Sequence, residues 1–379
     1  MITSKLPGLP TTIFSIMSKM AADYNALNLS QGFPNFKSDP KLINLVSRAM
    51  EAGHNQYAPM QGDKELREVV TDKLNTLYHS NYRPETDITI TAGATQAIFT
   101  AITAVVHPGD EVIVFKPAYD CYEPSVELCG GVPVPIQLKA PYNEVDWEEV
   151  RRSITSKTKL IIINTPHNPG GTVFSEEDML QLQTLAEDTD IIVLSDEVYE
   201  HIVFDKQQHQ SAARFPGLAA RSFITASFGK TFHNTGWKTG YCAGPEALMK
   251  EFNKVHQFNV FSVNHPIQKA LATYLKTPEH YLSLGDFYQR KRDLFLSLIK
   301  ESRFRFTPSA GTYFQLLDYS EITEENDIDF AARLVKSHGI AAIPVSVFNK
   351  DREDHKRLRF CFAKTDETLE KAAEILNAI

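Results

Sequence analysis

Short, continuously apolar runs alternate with helical patterns through the middle of the chain, and this alternation limits the possible folds more than any other feature. Several runs are apolar at consecutive positions, as expected for strands that are covered on both faces. Strands that alternate with helices pair mostly in parallel, so we predict an α/β fold built on a mostly parallel sheet. The strand candidates are DITITAG, DEVIVF, VPVPIQL, TKLIIINTP, DIIVLSDE, RSFITAS and KTGYCAG.

The pattern changes after about residue 281, where the long helical stretch YQRKRDLFLSLIKES begins to dominate. The strand candidates FRFTP, GTYFQLLDY, GIAAIPVSVF and RLRFCFAK follow it. We therefore predict a smaller α+β domain over residues 282–379 and a large domain over residues 40–281. Residues 1–39 are predicted to form an N-terminal arm and part of the small domain.

Charge and cysteine content argue against several classes of protein. The 379 residues carry a formal net charge of −8 with no basic block, which disfavours nucleic acid or a membrane surface as the main partner. The four cysteines have no C-x-x-C spacing, so neither a metal site nor a disulfide framework is expected, and a cytoplasmic location is the simplest. The N-terminal MITSKLPGLPTTIF lacks the apolar core of a signal peptide, and no apolar run approaches bilayer length.

Ligands of open parallel sheets bind beyond the carboxyl ends of the strands, so the residues after each strand candidate are informative. AGATQ follows DITIT and opens a helix, where the free amides of Ala94 and Thr95 would suit a phosphate. A plain strand–helix turn is the alternative. Tyr119 follows the next strand, either as a core residue or as a platform for a flat ligand.

The loop after LIIIN is dense in proline and glycine and carries Asn164, His167 and Asn168. Two prolines would hold an asparagine amide in place, and either X-Pro bond is a candidate for the cis form. The alternative is a stiff turn that binds nothing.

Two carboxylates, Asp196 and Glu197, directly follow the apolar strand IIVL, and Tyr199 lies close behind. A carboxylate so near a buried strand needs a partner. A structural ion pair is the alternative to a ligand contact, and it suits Glu197 better than Asp196.

The segment SFGKTFHNTGWKTG, residues 227–240, ends the strand candidate RSFITAS. Gly229 is expected to free the backbone to turn just before Lys230 and to make room for a ligand. A lysine held there and partly desolvated shifts toward its neutral amine, which can attack a carbonyl. A solvated loop lysine is the alternative, and we interpret His233 and Asn234 as structural.

The five strand ends together offer an anion-binding helix start, an aromatic plane, a fixed amide, a carboxylate with a phenol, and a lysine. A flat, aromatic, phosphorylated cofactor with an aldehyde matches all five. That description fits pyridoxal 5′-phosphate (PLP), whose enzymes bind it through a lysine and an acidic partner for the ring nitrogen.

The motifs LNLSQGFPNF, NQYAPMQG, NTPHNPGGT, SDEVY, SFGKTFHNTGWKTGY and LRFCFAK, in this order, resemble those of class I, fold type I PLP-dependent aminotransferases. The resemblance covers essentially the whole chain. It implies a mostly parallel seven-stranded sheet in a three-layer large domain, beside a smaller α+β domain. Within the class the sequence is most similar to the branch of methionine aminotransferases and kynurenine and glutamine transaminases.

The resemblance implies a role for the residues at the strand ends. Lys230 would bond to the cofactor aldehyde and later carry a proton between the amino acid's α-carbon and the cofactor. Asp196 would keep the pyridine nitrogen protonated. The other implied cofactor contacts are Ala94, Thr95, Ser227 and Lys238 to the phosphate, Tyr199 and Asn168 to the phenolic oxygen, and Tyr119 to the ring face.

A homodimer with shared active sites is implied as well. Tyr57 resembles the tyrosine that reaches the phosphate from the neighbouring subunit, and Phe261 resembles a residue that lines the side-chain pocket from there. Arg359 matches the arginine that grips the substrate α-carboxylate through a planar pair of donors, with further contacts from Gly32 and Asn168.

The implied reaction is a ping-pong transamination between an L-amino acid and a 2-oxo acid. A pocket formed by Phe261, Tyr119 and Phe14 would accept unbranched apolar or aromatic side chains, and discrimination among them is expected to be broad. Lysine at position 238, where many relatives have arginine, is typical of this branch, and Ser262 stands where kynurenine-preferring relatives often have histidine. Lys238 therefore supports the assignment to this branch, and Ser262 favours methionine as the donor.

Three alternatives remain open from the sequence. A β-lyase acting on cysteine S-conjugates and a kynurenine-type transaminase would use the same scaffold. A PLP-sensing regulator is the alternative that is not an enzyme, and the short N-terminal segment, which is poor in basic residues, speaks against it.

Overall fold

The computed structural model describes residues 3–140 and 143–379, so Met1 and Ile2 of the predicted N-terminal arm lie outside the described residues. The strands are β1 (Leu27–Asn28), β2 (Ile88–Thr91), β3 (Glu111–Lys116), β4 (Val132–Gln137), β5 (Thr158–Asn164), β6 (Ile192–Asp196), β7 (Ser222–Ser227), β8 (Gly240–Ala243), β9 (Phe314–Asp318), β10 (Ile340–Ala341), β11 (Ile343–Pro344) and β12 (Arg357–Cys361).

The helices cover the strands and connect them. They are α1 (Ile13–Asp23), α2 (Pro40–Glu51), α3 (Lys64–Tyr78), α4 (Ala94–Val105), α5 (Tyr122–Leu128), α6 (Trp147–Ser153), α7 (Glu176–Ala186), α8 (Pro216–Ala219), α9 (Phe228–Thr231), α10 (Glu246–Asn259), α11 (His265–Tyr274), α12 (Glu279–Leu282), α13 (Leu284–Leu298), α14 (Asp327–Arg333) and α15 (Asp366–Asn377). Short polar side chains begin several of them, as when Asp39 accepts from the Lys41 amide at the start of α2.

The largest sheet among the described residues has seven strands in the order β2-β8-β7-β6-β5-β3-β4. Strand β8 runs antiparallel to both of its neighbours, and the other neighbouring strands are parallel. Each of the seven strand candidates in the first part of the sequence contributes one strand. The predicted α/β fold with a mostly parallel sheet is therefore confirmed.

Two apolar layers cover the faces of this sheet, and the alternation of side chains along β5 shows why its run is continuously apolar. Ile161 and Ile163 pack in one hydrophobic cluster, whereas Leu160 and Ile162 pack in the other. Because successive side chains of a strand point to opposite faces, a strand between two helical layers needs an apolar residue at every position.

A second, three-stranded antiparallel sheet has the order β11-β12-β9. Strand β10 pairs in parallel with β1, which ties residues 27–28 to residues 340–341. The candidate GIAAIPVSVF therefore forms two short strands, β10 and β11, because its two halves pair with different partners.

The prediction of a strand at FRFTP is wrong. Only Arg305 bridges Asp318, through hydrogen bonds of 2.9 and 2.8 Å in the two directions. Beyond this bridge the side chain of Gln315, rather than a neighbouring strand, binds the Thr307 carbonyl at 2.8 Å and the Ser309 amide at 3.1 Å. The side-chain amide thus replaces the ladder of hydrogen bonds that a strand requires. Within the described residues, none of the helices has the length and apolarity to cross a membrane.

A buried ion pair joins α3 to the segment after β6. Lys73 Nζ lies 2.5 Å from Glu200 Oε1, and both side chains are only 4% exposed. Tyr78 and Tyr241 donate to the same carboxylate at 2.7 and 3.0 Å. Burial raises the pKa of Glu200, but the Lys73 charge, the neighbouring His201 and the hydrogen bonds from Lys73 and Tyr78 outweigh it and hold the pKa well below its usual value. Glu200 is therefore a buried anion whose stability depends on Lys73.

We predict that Lys73→Met lowers the free energy of unfolding by about 3–5 kcal/mol, because the Glu200 carboxylate loses its counter-charge in a buried position. Urea unfolding followed by circular dichroism measures the change. The matched control is Lys64→Met on the same helix, whose side chain is 74% exposed, and it should change stability by less than about 0.5 kcal/mol. Equal effects of the two substitutions would contradict the prediction.

Candidate active site

A cavity of about 310 Å³ opens at the carboxyl ends of β2, β5, β6 and β7. The fold brings side chains there from distant parts of the sequence, as expected for an open parallel sheet. Twelve of the sequence-predicted site residues line it, namely Phe14, Gly32, Ala94, Thr95, Tyr119, Asn168, Asp196, Tyr199, Ser227, Lys230, Lys238 and Arg359.

Lys230 lies on the single-turn helix α9, directly after the carboxyl end of β7. Its Nζ donates to the Gly32 carbonyl at 2.9 Å and to the Tyr313 hydroxyl at 3.0 Å. Burial, followed by the nearby Arg359 and Lys238 charges, lowers the pKa of Lys230 to about 8, although Cys361 and Asp196 act in the opposite direction. A substantial neutral fraction of the amine is therefore present near neutral pH.

The expectation that Gly229 makes room for a ligand stays a prediction, and the structure shows a packing role for this glycine within its own loop. A Cβ at this position would lie 3.0 Å from Thr235 Cα, so the absence of a side chain serves close packing within the loop itself. His233, in contrast, has the structural role that the sequence suggested, because burial lowers its pKa to about 4 and its Nδ1 lies 2.8 Å from the Tyr288 hydroxyl.

Asp196 ends β6 and is almost completely buried. The Tyr122 hydroxyl donates to its Oδ2 at 2.6 Å, and the Val198 amide donates to its Oδ1 at 3.3 Å. Burial raises the pKa of Asp196 to about 6, while these two hydrogen bonds lower it. Because both donors are neutral, a cationic ligand group would supply the missing charge complement.

Arg359 crosses the cavity from β12 and is 1% exposed. Its Nη1 donates to Asn168 Oδ1 and its Nη2 to the Ser30 carbonyl, both at 2.9 Å. The guanidinium carbon lies 3.9 Å from the centroid of the Phe314 ring. Its buried Nε has no hydrogen-bond partner within residues 3–140 and 143–379. The guanidinium is thus fixed in place with donor capacity remaining.

Asn168 lies in the predicted stiff loop, and both the Thr165–Pro166 and the Asn168–Pro169 peptide bonds are cis. The backbone amide of Asn168 donates to Asn164 Oδ1 at 2.7 Å. His167 faces the protein interior instead, where its Nε2 lies 2.9 Å from the Pro117 carbonyl and burial lowers its pKa to about 4. His167 therefore supports the loop as a neutral ring.

The start of α4 forms a cradle at one end of the cavity. Gly93 precedes Ala94 with a φ of +79°, a conformation that favours glycine. A Cβ on Gly93 would lie 3.7 Å from Lys238 Nζ, so the lysine side chain lies beside the residue that precedes the helix start. Ser227 also lines this cavity. Amides at a helix start and an ammonium group together suit an anion.

Two aromatic residues lie beside the cradle and the lysine. The Tyr119 hydroxyl lies 3.4 Å from Thr95 Oγ1, and burial raises the pKa of Tyr119. Tyr199 is buried, its pKa is raised by burial, and Lys230 Nζ lies 5.8 Å from its ring centroid. Both phenols therefore remain protonated near neutral pH.

The two residues expected from a neighbouring subunit lie outside the cavity of their own chain. Tyr57 is 80% exposed and Phe261 is 47% exposed, and their ring centroids are 5.3 Å apart. Ser262, beside them, donates to the Ala58 carbonyl at 2.9 Å. This exposed aromatic pair does not contribute to the site that the same chain forms.

Sequence reasoning missed Tyr122, Tyr313 and Phe314, although each contacts a site residue. Tyr122 donates to Asp196, Tyr313 accepts from Lys230, and Phe314 stacks on Arg359. Their positions after DC and within GTYFQLLDY resemble those of ordinary core aromatics. No sequence signal separated them from the core.

Comparison with known proteins identifies the family. The family described as aminotransferase class I and II matches residues 24–376. Methionine aminotransferase of Escherichia coli is 48% identical over 99% of this chain and 98% of that protein. An E. coli crystal structure with a methionine aminotransferase function superimposes with a TM-score of 0.98 at 47% identity, covering 100% of both chains.

A more distant relative is rat kynurenine–oxoglutarate transaminase 3, which is 35% identical over 98% of this chain and 88% of the relative. The match to the family extends over most of the chain, and the superposition shows the fold type I architecture. The protein therefore belongs to the class I and II aminotransferases.

Proposed function

We propose that this aminotransferase transfers the amino group of methionine and similar apolar or aromatic L-amino acids to a 2-oxo acid, with PLP as its cofactor. The observation that carries the proposal is the shared cavity, which the Lys230 amine, the Asp196 carboxyl and the Arg359 guanidinium line together with the residues of the helix-start cradle. The 48% identity to E. coli methionine aminotransferase supports the choice of donor.

The residues fit the cofactor at each of its functional groups. The Ala94 and Thr95 amides, Ser227 and Lys238 would hold the phosphate, as their place around the cradle suggests.

A second set of residues would contact the pyridine ring of the cofactor. Asp196 would pair with the protonated ring nitrogen, because both of its present hydrogen-bond donors are neutral. Tyr199 and Asn168 would bind the phenolic oxygen, and Tyr119 would cover the ring face. When bound, the cofactor supplies a protonated ring that accepts the electron pair left when the substrate's Cα–H bond breaks.

Lys230 has two tasks in the proposed mechanism. Its neutral amine provides the nucleophile that anchors the cofactor, and at pH 7.5 a pKa of about 8 leaves roughly a quarter of the amine neutral. As a free amine, Nζ would also be the base that takes the proton from the substrate α-carbon and the acid that returns it. Both tasks need an amine that titrates near the operating pH.

Arg359 orients the amino acid. Its guanidinium is immobilised by Asn168 and Ser30 and stacked on Phe314, so a substrate α-carboxylate meets a rigid, planar donor set with a free Nε. Asn168 and Gly32 would add contacts to the same carboxylate. The substrate's α-carbon is thereby brought toward Lys230.

The proposed preference for apolar side chains follows from the rest of the cavity wall, to which Phe14, Ile98 and Val198 contribute. Its cationic residues are Lys230, Lys238 and Arg359, each of which already has a proposed partner. No further cation of the lining is available for a side-chain carboxylate. A kynurenine-type transaminase and a cysteine-S-conjugate β-lyase are the competing functions on this scaffold.

A homodimer with shared sites is part of the proposal. Tyr57 and Phe261 form an exposed aromatic pair away from their own cavity, which suits a contribution to the cavity of a second copy. In that arrangement Tyr57 would reach the phosphate and Phe261 the substrate side chain. Ser262 lies beside this pair rather than in the cavity of its own chain.

We also propose the domain division 1–39, 40–281 and 282–379, and a cytoplasmic location. Pairing of β1 with β10 supports assigning part of the N-terminal arm to the small domain. The four cysteines are unpaired, as in most proteins of a reducing compartment.

The function is tested by mixing the purified protein, loaded with PLP, with methionine and a 2-oxo acid and measuring both products. We expect conversion with methionine, and at least a ~10³-fold loss in Lys230→Ala, which lacks both the anchoring amine and the proton carrier. Lys254→Ala, a change at an exposed lysine on α10, is the matched control and should react like the parent.

The donor assay also separates the competing functions. Conversion with glutamate or kynurenine but not with methionine would overturn the proposed donor. Formation of pyruvate and ammonia from a cysteine S-conjugate, without a 2-oxo acid, as the main reaction would favour the β-lyase.

Arg359→Lys should lower kcat/KM for methionine by about 10–100-fold, mainly through KM, because an ammonium cannot replace the planar pair of donors. Steady-state kinetics over a range of methionine concentrations measures the change. Arg305→Lys, at an exposed position in the same part of the fold, is the control and should have no effect. A variant of Arg359 with parental KM would remove the residue from the proposed carboxylate site.

The affinity for PLP should depend on the ionisation of Asp196. Its pKa of about 6 means that the carboxyl gains a proton as the pH falls below 6, and the charge that pairs with the ring nitrogen is then lost. We expect the ratio of the parental to the Asp196→Asn association constant to fall by up to about ten-fold between pH 6.5 and 5. Absorbance titrations at each pH measure both constants.

The comparison with Asp196→Asn is needed because the cofactor phosphate also titrates near pH 6. The phosphate affects both proteins equally, so only the Asp196 contribution changes the ratio. A ratio that stays constant over this range would show that Asp196 does not bind the ring nitrogen as an anion.

A further inference from the structure

The Tyr313 hydroxyl contacts both Lys230 and the Gly32 carbonyl of the N-terminal arm. It donates to the Gly32 carbonyl at 2.6 Å and accepts from Lys230 Nζ at 3.0 Å. Lys230 Nζ also donates to the Gly32 carbonyl at 2.9 Å. The three groups therefore form a closed triangle of hydrogen bonds, and Tyr313 itself is fully buried.

The directions of these hydrogen bonds constrain the amine. A neutral lysine has two N–H groups and one lone pair, arranged tetrahedrally with the bond to its own carbon. Tyr313 gives its only hydrogen to Gly32, so its oxygen can offer only a lone pair to Lys230. If one N–H binds Tyr313 and the other binds Gly32, a single direction remains for the lone pair of the amine.

We propose that Tyr313 is a positioning residue for Lys230: with the Gly32 carbonyl it binds both N–H groups of the neutral amine, so that the lone pair faces the cavity. Lys230 lines that cavity, whereas Tyr313 lies behind it. The inference rests on the proposed function only in assigning the cofactor aldehyde as the group that the lone pair meets.

A purely structural role of Tyr313 would depend on its ring and on the hydrogen bond between its hydroxyl and Tyr199. The ring packs against Tyr199 at 5.2 Å and against Tyr288 at 5.6 Å between centroids, and phenylalanine would preserve both contacts. Tyr288 provides a matched control, because it is also fully buried and its hydroxyl lies 2.8 Å from Nδ1 of His233 rather than on Lys230. Removal of either hydroxyl alters the same aromatic cluster, but only one of them contacts the amine.

The charged groups around Lys230 set the direction of the expected shift. Burial, Arg359 and Lys238 lower its pKa, while Cys361 and Asp196 raise it, and the result is about 8. All of these groups remain in Tyr313→Phe. The variant loses an acceptor that binds the ammonium form more strongly than the amine, so the pKa of Lys230 should fall further.

The first experiment measures this pKa in the full-length protein without cofactor. Lysines are acetylated with limiting acetic anhydride between pH 6 and 10, and the labelling of Lys230 is quantified by peptide mass spectrometry relative to the exposed Lys5. We expect the Lys230 midpoint to fall by about 0.5–1 pH unit in Tyr313→Phe. In Tyr288→Phe the midpoint should stay at the parental value.

The second experiment measures orientation at pH 9.5, where the amine is neutral in all three proteins. The rate of PLP capture is followed by absorbance. In this step the Lys230 lone pair bonds to the aldehyde carbon, and the carbonyl oxygen leaves as water with the two amine hydrogens, so no oxidant or reductant is needed. We expect capture to be about ten-fold slower in Tyr313→Phe, because the lone pair is no longer held toward the cavity.

The two experiments separate this inference from the proposed function. Parental capture rates in Tyr313→Phe, or equal changes in Tyr313→Phe and Tyr288→Phe, would overturn the positioning role. Failure of the parental protein to capture PLP at Lys230 would instead overturn the proposed function. Thermal unfolding of the variants verifies that each is folded.

Discussion

The Lys230 amine, the Asp196 carboxyl and the Arg359 guanidinium share one cavity. Burial there lowers the pKa of Lys230 and Arg359 and raises the pKa of Asp196, so it disfavours the charged form of each group. Each group is held by hydrogen bonds from its surroundings rather than by an ion pair with another of the three. A charged group with little water around it interacts strongly with a ligand that neutralises its charge or satisfies its remaining hydrogen bonds.

The cavity depends equally on the two sheets and on the arm that joins them. The large sheet provides Asp196 and Lys230 at its carboxyl edge, whereas Arg359 comes from β12 of the small sheet. The arm enters between them, where the Ser30 carbonyl binds Arg359 and the Gly32 carbonyl binds Lys230. A displacement of the arm would therefore alter the surroundings of the Arg359 guanidinium and of the Lys230 amine together.

Much of the large sheet was predictable because its strands lie between two helical layers and must be apolar at successive positions, as Leu160 to Ile163 show. The small sheet was predicted less well. Arg305 forms only an isolated bridge, since the Gln315 side chain binds the backbone that a longer strand would have used. Such a side-chain substitution depends on residues that are close in space, and hydrophobic periodicity does not reveal it.

The α/β class and the polar residues at the strand ends could be read from local periodicity, because parallel strands bring their carboxyl ends to one edge of the sheet. The sequence also carried the motifs that indicate an aminotransferase. Three features became visible only in the folded chain: Tyr122 donates to Asp196, Tyr313 donates to Gly32 and contacts Lys230, and Tyr57 lies outside its own cavity. Hydrogen bonds between residues far apart in the chain depend on how whole helices and strands pack together. The residues next to a tyrosine in the sequence do not show that packing.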